Sequence, residues 1–403
     1  MGENIKATIS AISDPGMVRS NNEDSFLLID LKRGKSIADH STIEKKGEES
    51  VYLLIVSDGV GGSQLGELAS ELTVLSIKDA MMLIEQEVPV FDKLTAAVEH
   101  ANHLLFTENT NNPRLAGMKA TVTAVVVEYT KVYVASVGDS RAYLIRNNEI
   151  SQLTTDQTLG NILVEQGILK PEDVSKHPRK NVILQAIGNA EVIQVAVNSF
   201  DLLQGDMLLL CSDGLTNKLT DDELYNILHN SSSIEEASKT MVQTAKERGG
   251  EDNITVVIAK FEGDAIAAVD GQPLELQELS TYDPYTVKKS SLRTTLLHNV
   301  KTNREISTVF PIEIKSINSE YGDFVEQSET LQLGLKDASF LIKNKVNIDD
   351  LLYISLPMPP WLRLFDPDKP LYQLYAQVRK ISPQESGFYL VRVSFISKDY
   401  PDE

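Results

Sequence analysis

The chain has one cysteine, one tryptophan and no apolar run near the roughly 20 residues that a bilayer span takes. Cys211 has no second cysteine to pair with, which fits a reducing, cytoplasmic setting and no membrane partner. Met1–Ser10 lacks a basic start followed by a long apolar core, so no signal peptide is expected. Basic surface is scarce too. Residues 1–262 hold 23 Lys and Arg against 38 Asp and Glu, and residues 263–403 hold 15 against 20. With a net charge of −20 shared by both parts, neither offers the cationic face that a nucleic acid requires. No Walker loop is present, and the six histidines show no zinc spacing. Cys211 ends an apolar strand with no arginine several residues on, so a cysteine phosphatase is excluded and a core role expected.

What is present is globular: 403 residues, 42% hydrophobic, enough for two domains or for one large and one small. The organising stretch is Val51–Ser70. A buried-strand run ends in Asp58, passes through Gly59, Gly61, Gly62 and Gly66, and enters a helical pattern from about Glu67. A dinucleotide fingerprint would need a third glycine where Gln64 stands. An acid beside bare backbone carbonyls instead suits a hard cation, which takes oxygen ligands.

Before this stretch, strands are predicted over 6–12 and 25–31, and 32–50 is expected as a polar, mobile insertion. After it come helices over about 67–86 and 91–109, then strands over 120–128, 131–137, 141–146 and 150–153. A polar segment 156–189 with a short helix follows, then strands 193–199 and 207–211, helices 221–229 and 234–248, and a closing strand 254–261. Blocks of strands and helices in this order argue an α+β fold, a β-sandwich flanked by helices. Residues 1–262 form this first domain, and 263–291 read as a linker. Residues 292–403 carry short strands at regular spacing, a small C-terminal β-barrel.

The strand-then-acid pattern recurs. Glu23 and Asp24 precede a strand, Asp139 follows one at a tight turn, and Asp213 follows the apolar run Leu208–Cys211 in a near copy of Ser57-Asp58-Gly59. Asp252 opens the last strand. Acids gathered from such strand ends repel one another unless cations sit among them.

In order along the chain these motifs are Gly16-x-x-Arg19-x-x-x-Glu23-Asp24, Asp58-Gly59-x-Gly61-Gly62-x-x-x-Gly66-Glu67, Gly138-Asp139-Ser140-Arg141, Ser212-Asp213-Gly214 and Asp252-Asn253-Ile254-Thr255. Together they resemble the metal-dependent protein phosphatases of type 2C, the PPM group, in its bacterial branch. The resemblance implies a phosphoserine/phosphothreonine protein phosphatase using Mn²⁺ or Mg²⁺, two ions or three. It implies that Asp58 bridges two ions with the Gly59 carbonyl as a further ligand, and that Asp213 and Asp252 complete one shell. Glu23 and Asp24 would act partly through waters, and Asp139 with Asp213 would hold a third, weaker ion. A water bridging two ions would be the nucleophile, and Arg19 would grip the phosphoryl oxygens.

Two positions depart from the pattern. Val60 stands where many eukaryotic members have a histidine and cannot donate a proton. Asp156-Gln157 stands where the family often shows Asp-His. Segment 156–189 corresponds to the family's variable flap, in which His177 and Arg179-Lys180 are expected as a solvated loop.

Residues 292–397 resemble, over fewer positions, a PilZ domain, a barrel that binds cyclic di-GMP in many bacteria. Arg304, Asp337 and Ser339 are the matching candidate nucleotide contacts, while Lys301 and Ile342 stand where a second arginine and a glycine belong. The expectation is therefore a regulatory or protein-interaction barrel, ahead of a cyclic di-GMP receptor. Trp361, among Pro357, Pro359 and Pro360, is expected in a loop. The rival from another class is a phosphoprotein-binding scaffold with little turnover, which has no need of clustered acids.

Overall fold

The computed structural model describes residues 4–37, 40–46, 51–60, 64–84, 87–111, 115–174, 177–268, 274–283, 311–317, 321–333, 337–357, 371–384 and 387–396. They fall into two compact units, Met1–Val300 and Lys301–Glu403.

Side-chain alternation builds the first unit. Along the strand Val51–Val60, Tyr52, Leu54 and Val56 enter one apolar cluster while Leu53 and Ile55 enter another. Along Met207–Cys211, Leu208 and Leu210 share the cluster of Tyr52, whereas Leu209 and Cys211 face a third. Strands buried on both faces read as unbroken apolar runs, because successive side chains point to opposite sides. The shared cluster lies between two antiparallel sheets of six and eight strands. Helices Gln64–Leu83 and Val90–Asn111 cover the eight-stranded sheet. Helices Asp221–Asn230 and Ile234–Glu247, opened by Thr220 and Ser233 caps, cover the other. The result is the expected helix-flanked sandwich.

Two stretches differ from expectation. In the expected insertion 32–50, Ser41–Lys46 forms an edge strand on Asn4–Asp14, with Ile43 packed toward the core. Within the expected linker 263–291, the described residues 263–268 and 274–283 belong to the first unit. Ala267 bridges Leu203, and Gln277–Ser280 pairs with the strand Ala196–Asp201. Leu274, Leu276 and Leu279 pack onto the sandwich and give this segment its anchorage.

The second unit is a closed six-stranded antiparallel barrel around Ile314, Phe340, Leu352, Val378 and Val393. Closure leaves no free edge. The barrel's second strand runs unbroken over Val325–Leu333. Asp337 and Ser339 lie within the strand Asp337–Ile342 rather than on a turn. There Arg392 Nη2 holds Asp337 at 2.7 Å, and Ser339 is buried. Arg304, Trp361 and the glycines Gly61 and Gly62 lie outside the described residues.

Candidate metal centre

The register of the eight-stranded sheet sets Asp24 directly opposite Asp58. Opposite residues of an antiparallel pair share a face, so the two carboxylates start on the same side. The Asp58 backbone is held on both sides by Thr121, whose Oγ1 accepts from Asp58 N at 3.0 Å and whose N donates to Asp58 O at 2.8 Å. Thr121 Oγ1 also meets Ser140 Oγ at 2.7 Å, which ties the Asp58 strand end to the turn carrying Asp139. That turn needs Gly138, whose φ is +104° and whose absent Cβ would press on Thr121. Gly59 is needed for another reason: a Cβ there would collide with the Gly66 and Glu23 carbonyls.

The six-stranded sheet delivers the remaining acids. Ser212, between Met207–Cys211 and Asp213, donates to Asp24 Oδ2 at 2.6 Å and accepts from Thr255 N at 3.0 Å. Thr255 Oγ1 reaches the same Asp24 oxygen at 2.7 Å. Asn253 accepts from Glu23 N at 2.8 Å and donates to the Pro15 and Asn21 carbonyls, so it fastens the Arg19 loop beside Asp252. Hydroxyls and amides thus orient the acid-bearing backbone, and the acids themselves keep free lone pairs.

Three buried oxygens, Asp24 Oδ1, Asp139 Oδ1 and Asp213 Oδ1, have no hydrogen-bond partner. A buried carboxylate oxygen left unpaired is costly, and the electrostatics express that cost. Burial pushes Asp24 up to about 7, against hydrogen bonds from Ser212 and Thr255, with Asp213 and Asp252 pushing it further. Burial, then Asp213 and Asp156, push Asp139 up to about 8. Asp213 rises to about 6 through burial and Asp252, opposed by hydrogen bonds to Asn217 and Asp58. Asp58 is held well above the usual carboxylate range by burial, then by Asp24, Asp213, Asp139 and Asp252.

Asp58 feels the charges of Asp24, Asp213, Asp139 and Asp252 together, so the five acids gather at one edge of the sandwich, and Asp58 and Asp213 are close enough to share a hydrogen bond. Among the described residues, no group of three or more acidic, His or Cys side chains stands close enough to hold an ion as placed. Asp252 is instead held by Arg19, whose Nη2 lies 3.0 Å from its Oδ1. The donor set is all oxygen, partly orphaned and mutually repelling, and a hard divalent cation satisfies each of those conditions.

Glu23 is buried, its carboxylate filling the space a Cβ on Gly66 would take. His177 and Arg179 sit in a partly exposed turn in which Arg179 N donates to His177 Nδ1 at 3.3 Å. A cavity of about 130 Å³ lined by Ile145, Arg146, Tyr225 and His229 lies at the far end of the strand Arg141–Arg146 from Asp139 and contains no carboxylate. Sequence reading gave Ser212, Asn253 and Thr255 no role although they stand inside quoted motifs. Thr121 was missed altogether, since only its position next to Val122–Glu128 shows what it joins.

The protein phosphatase 2C family matches residues 31–256 of the chain. The serine/threonine phosphatase stp of Listeria welshimeri is 33% identical over 253 residues, covering 62% of this chain and 93% of that protein. The serine/threonine protein phosphatase PstP of Mycobacterium tuberculosis is 32% identical over 253 residues, covering 62% of this chain and 44% of its own length. The crystal structure of the M. tuberculosis phosphatase PstP/Ppp superposes with a TM-score of 0.55 at 32% identity, over 64% of this chain and 99% of that one. A structure of the PstP catalytic domain in complex with two manganese ions superposes with a TM-score of 0.53 at 31% identity, over the same 64% and 99%. With more than half its length matched, this chain belongs to the protein phosphatase 2C family.

Proposed function

We propose that the first unit hydrolyses phosphoserine and phosphothreonine esters of proteins at the Asp24–Asp58–Asp139–Asp213–Asp252 cluster, with Mn²⁺ or Mg²⁺ bound there. The observation that carries this reading is the three orphaned, buried carboxylate oxygens of Asp24, Asp139 and Asp213. Asp58 would serve two ions, with the Gly59 carbonyl beside it as a further ligand; Asp213 and Asp252 would complete one shell, Glu23 and Asp24 would act partly through waters, and Asp139 with Asp213 would hold a third, weaker ion. Such ions acidify a water and offset phosphoryl charge.

The chain's own groups do the rest. Ser212 and Thr255 hold one oxygen of Asp24 and leave the other buried and unpaired. Arg19, half-exposed on its loop, presents a planar fork to a phosphoryl group and gives up part of its pairing with Asp252 when it does so. Val60, at the rim beside Asp58, has no proton to give the leaving alkoxide. The barrel unit serves as a regulatory or interaction module, and the lone buried Cys211 supports a cytoplasmic setting.

The test is release of phosphate from a phosphothreonine peptide by the full chain after metal removal, then with Mn²⁺ restored. Turnover that returns with Mn²⁺ supports the reading. Binding of the peptide with no turnover under either condition favours a phosphoprotein-binding scaffold.

A further inference from the structure

Gln157 stands where the sequence departs from its family, and in the structure it is buried, with 1% of its surface exposed. Its Oε1 accepts from the backbone N of Gly138 at 2.9 Å, while its own backbone N donates to Gly138 O at 2.9 Å. A backbone N–H can only donate, so the amide orientation at Gln157 is fixed. The same Oε1 accepts from Gln185 Nε2 at 3.0 Å. Gln185 in turn pairs with the Gln194 backbone in both directions, donating to Gln194 O and accepting from Gln194 N, each at 2.7 Å. Gln194 repeats the device on Asp283, accepting from its N at 2.8 Å and donating to its O at 2.9 Å.

Three glutamine side chains thus make one continuous relay from the backbone of Asp283 to the backbone of Gly138. Asp283 is the last residue described in the strap whose strand Gln277–Ser280 lies on Ala196–Asp201, and in the sequence the chain leads on from it to the barrel unit. At the other end, Gly138 precedes Asp139, whose buried Oδ1 has no partner of its own. With that oxygen unheld, the direction of the Asp139 carboxylate rests on its turn, and the relay is what fastens the turn on the flap side.

We propose that Gln157, Gln185 and Gln194 are positioning residues that aim Asp139 at its cation, so that loosening the strap at Asp283 weakens binding of that ion. This rests on the metal reading given above. Groups that orient a ligand from behind typically change metal affinity by about tenfold or more when removed, and an effect passed through further links is smaller, about threefold.

The experiment is calorimetric titration of Mn²⁺ into the metal-free full chain, for wild type, Gln157→Leu and Gln194→Ala, with melting temperature recorded beside it. The relay predicts that one class of Mn²⁺ sites weakens about tenfold in Gln157→Leu and about threefold in Gln194→Ala, while tighter sites are unchanged. Gln185→Ala takes the place of Gln157→Leu if the latter does not fold. Variants that melt earlier but titrate as wild type make the glutamines framework only and overturn the proposal, as does a wild-type titration from Gln194→Ala alone. Wild-type protein that takes up no Mn²⁺ removes the metal reading itself, and the relay with it.

Discussion

Asp24 and Asp58 face each other across an antiparallel strand pair, on the same side of the sheet and with no cationic side chain between them in the register. Like charges placed directly opposite are destabilising, and both carboxylates are raised by burial and by each other's neighbourhood. The fold therefore keeps a repulsion that serves only to bind something positive. Asp58→Asn should remove Mn²⁺-dependent phosphatase activity by about a thousandfold, the scale of a lost charge-stabilising group. In metal-free protein it should instead raise the melting temperature by about 2–4 °C. A variant that loses activity and stability together in the metal-free state would contradict the account.

The pH dependence of the metal-free protein follows from the same acids. Asp24, Asp213 and Asp139 are raised to about 7, 6 and 8, above an unfolded value near 3.8. Each keeps a proton in the folded form that the unfolded chain has already released, so the stabilisation is complete below about pH 4, falls as pH rises from there, and is fully lost once pH has passed about 6 to 8. Thermal melts in chelator should show this loss across that window. Mn²⁺ competes with those protons, so the gain in melting temperature on adding Mn²⁺ should grow between about pH 5.5 and 8. A gain that is flat with pH contradicts the assignment.

Ser212→Ala leaves Asp24 Oδ2 with Thr255 as its remaining hydroxyl partner. The expected outcome is about a tenfold rise in the Mn²⁺ concentration for half-maximal activity, with a stability cost of about 1 kcal/mol. Equilibrium denaturation and a metal titration read the two effects separately.

Arg19→Ala should lower kcat/KM for a phosphopeptide by about tenfold to a hundredfold, the range of a lost charge-assisted hydrogen bond. Arg19→Lys should recover only part of it, because an ammonium cannot make the planar, two-pronged contact. Equal kinetics for wild type and Arg19→Ala would leave Arg19 as a structural partner of Glu251 and Asp252 alone.

Much of this site was legible because its acids fall where strands end. Leu208–Cys211 and Val51–Val56 are apolar on both faces, so their ends at Asp213 and Asp58 stand out in the sequence. The fastening was not legible. Thr121, Gln185 and Gln194 stand outside every quoted motif, and they matter only because register and flap path bring them to the Asp58 and Asp139 backbones. The strap 274–283 was hidden for another reason: its leucines alternate with Glu and Gln, so a single anchored strand reads as a polar connection. In the barrel, Val325–Leu333 buries the polar Thr330 and leaves Val325 and Leu331 exposed, so its apolar residues do not mark the face it turns inward.

The most direct measurement is hydrolysis of p-nitrophenyl phosphate by the full chain with Mn²⁺, comparing wild type with Asp213→Ala. Asp213 shares the charge of Asp58, Asp24 and Asp139. The account predicts Mn²⁺-dependent turnover in the wild type and a loss of at least about a hundredfold in the variant. Equal rates in the two proteins, or a wild-type rate indifferent to metal, would contradict it.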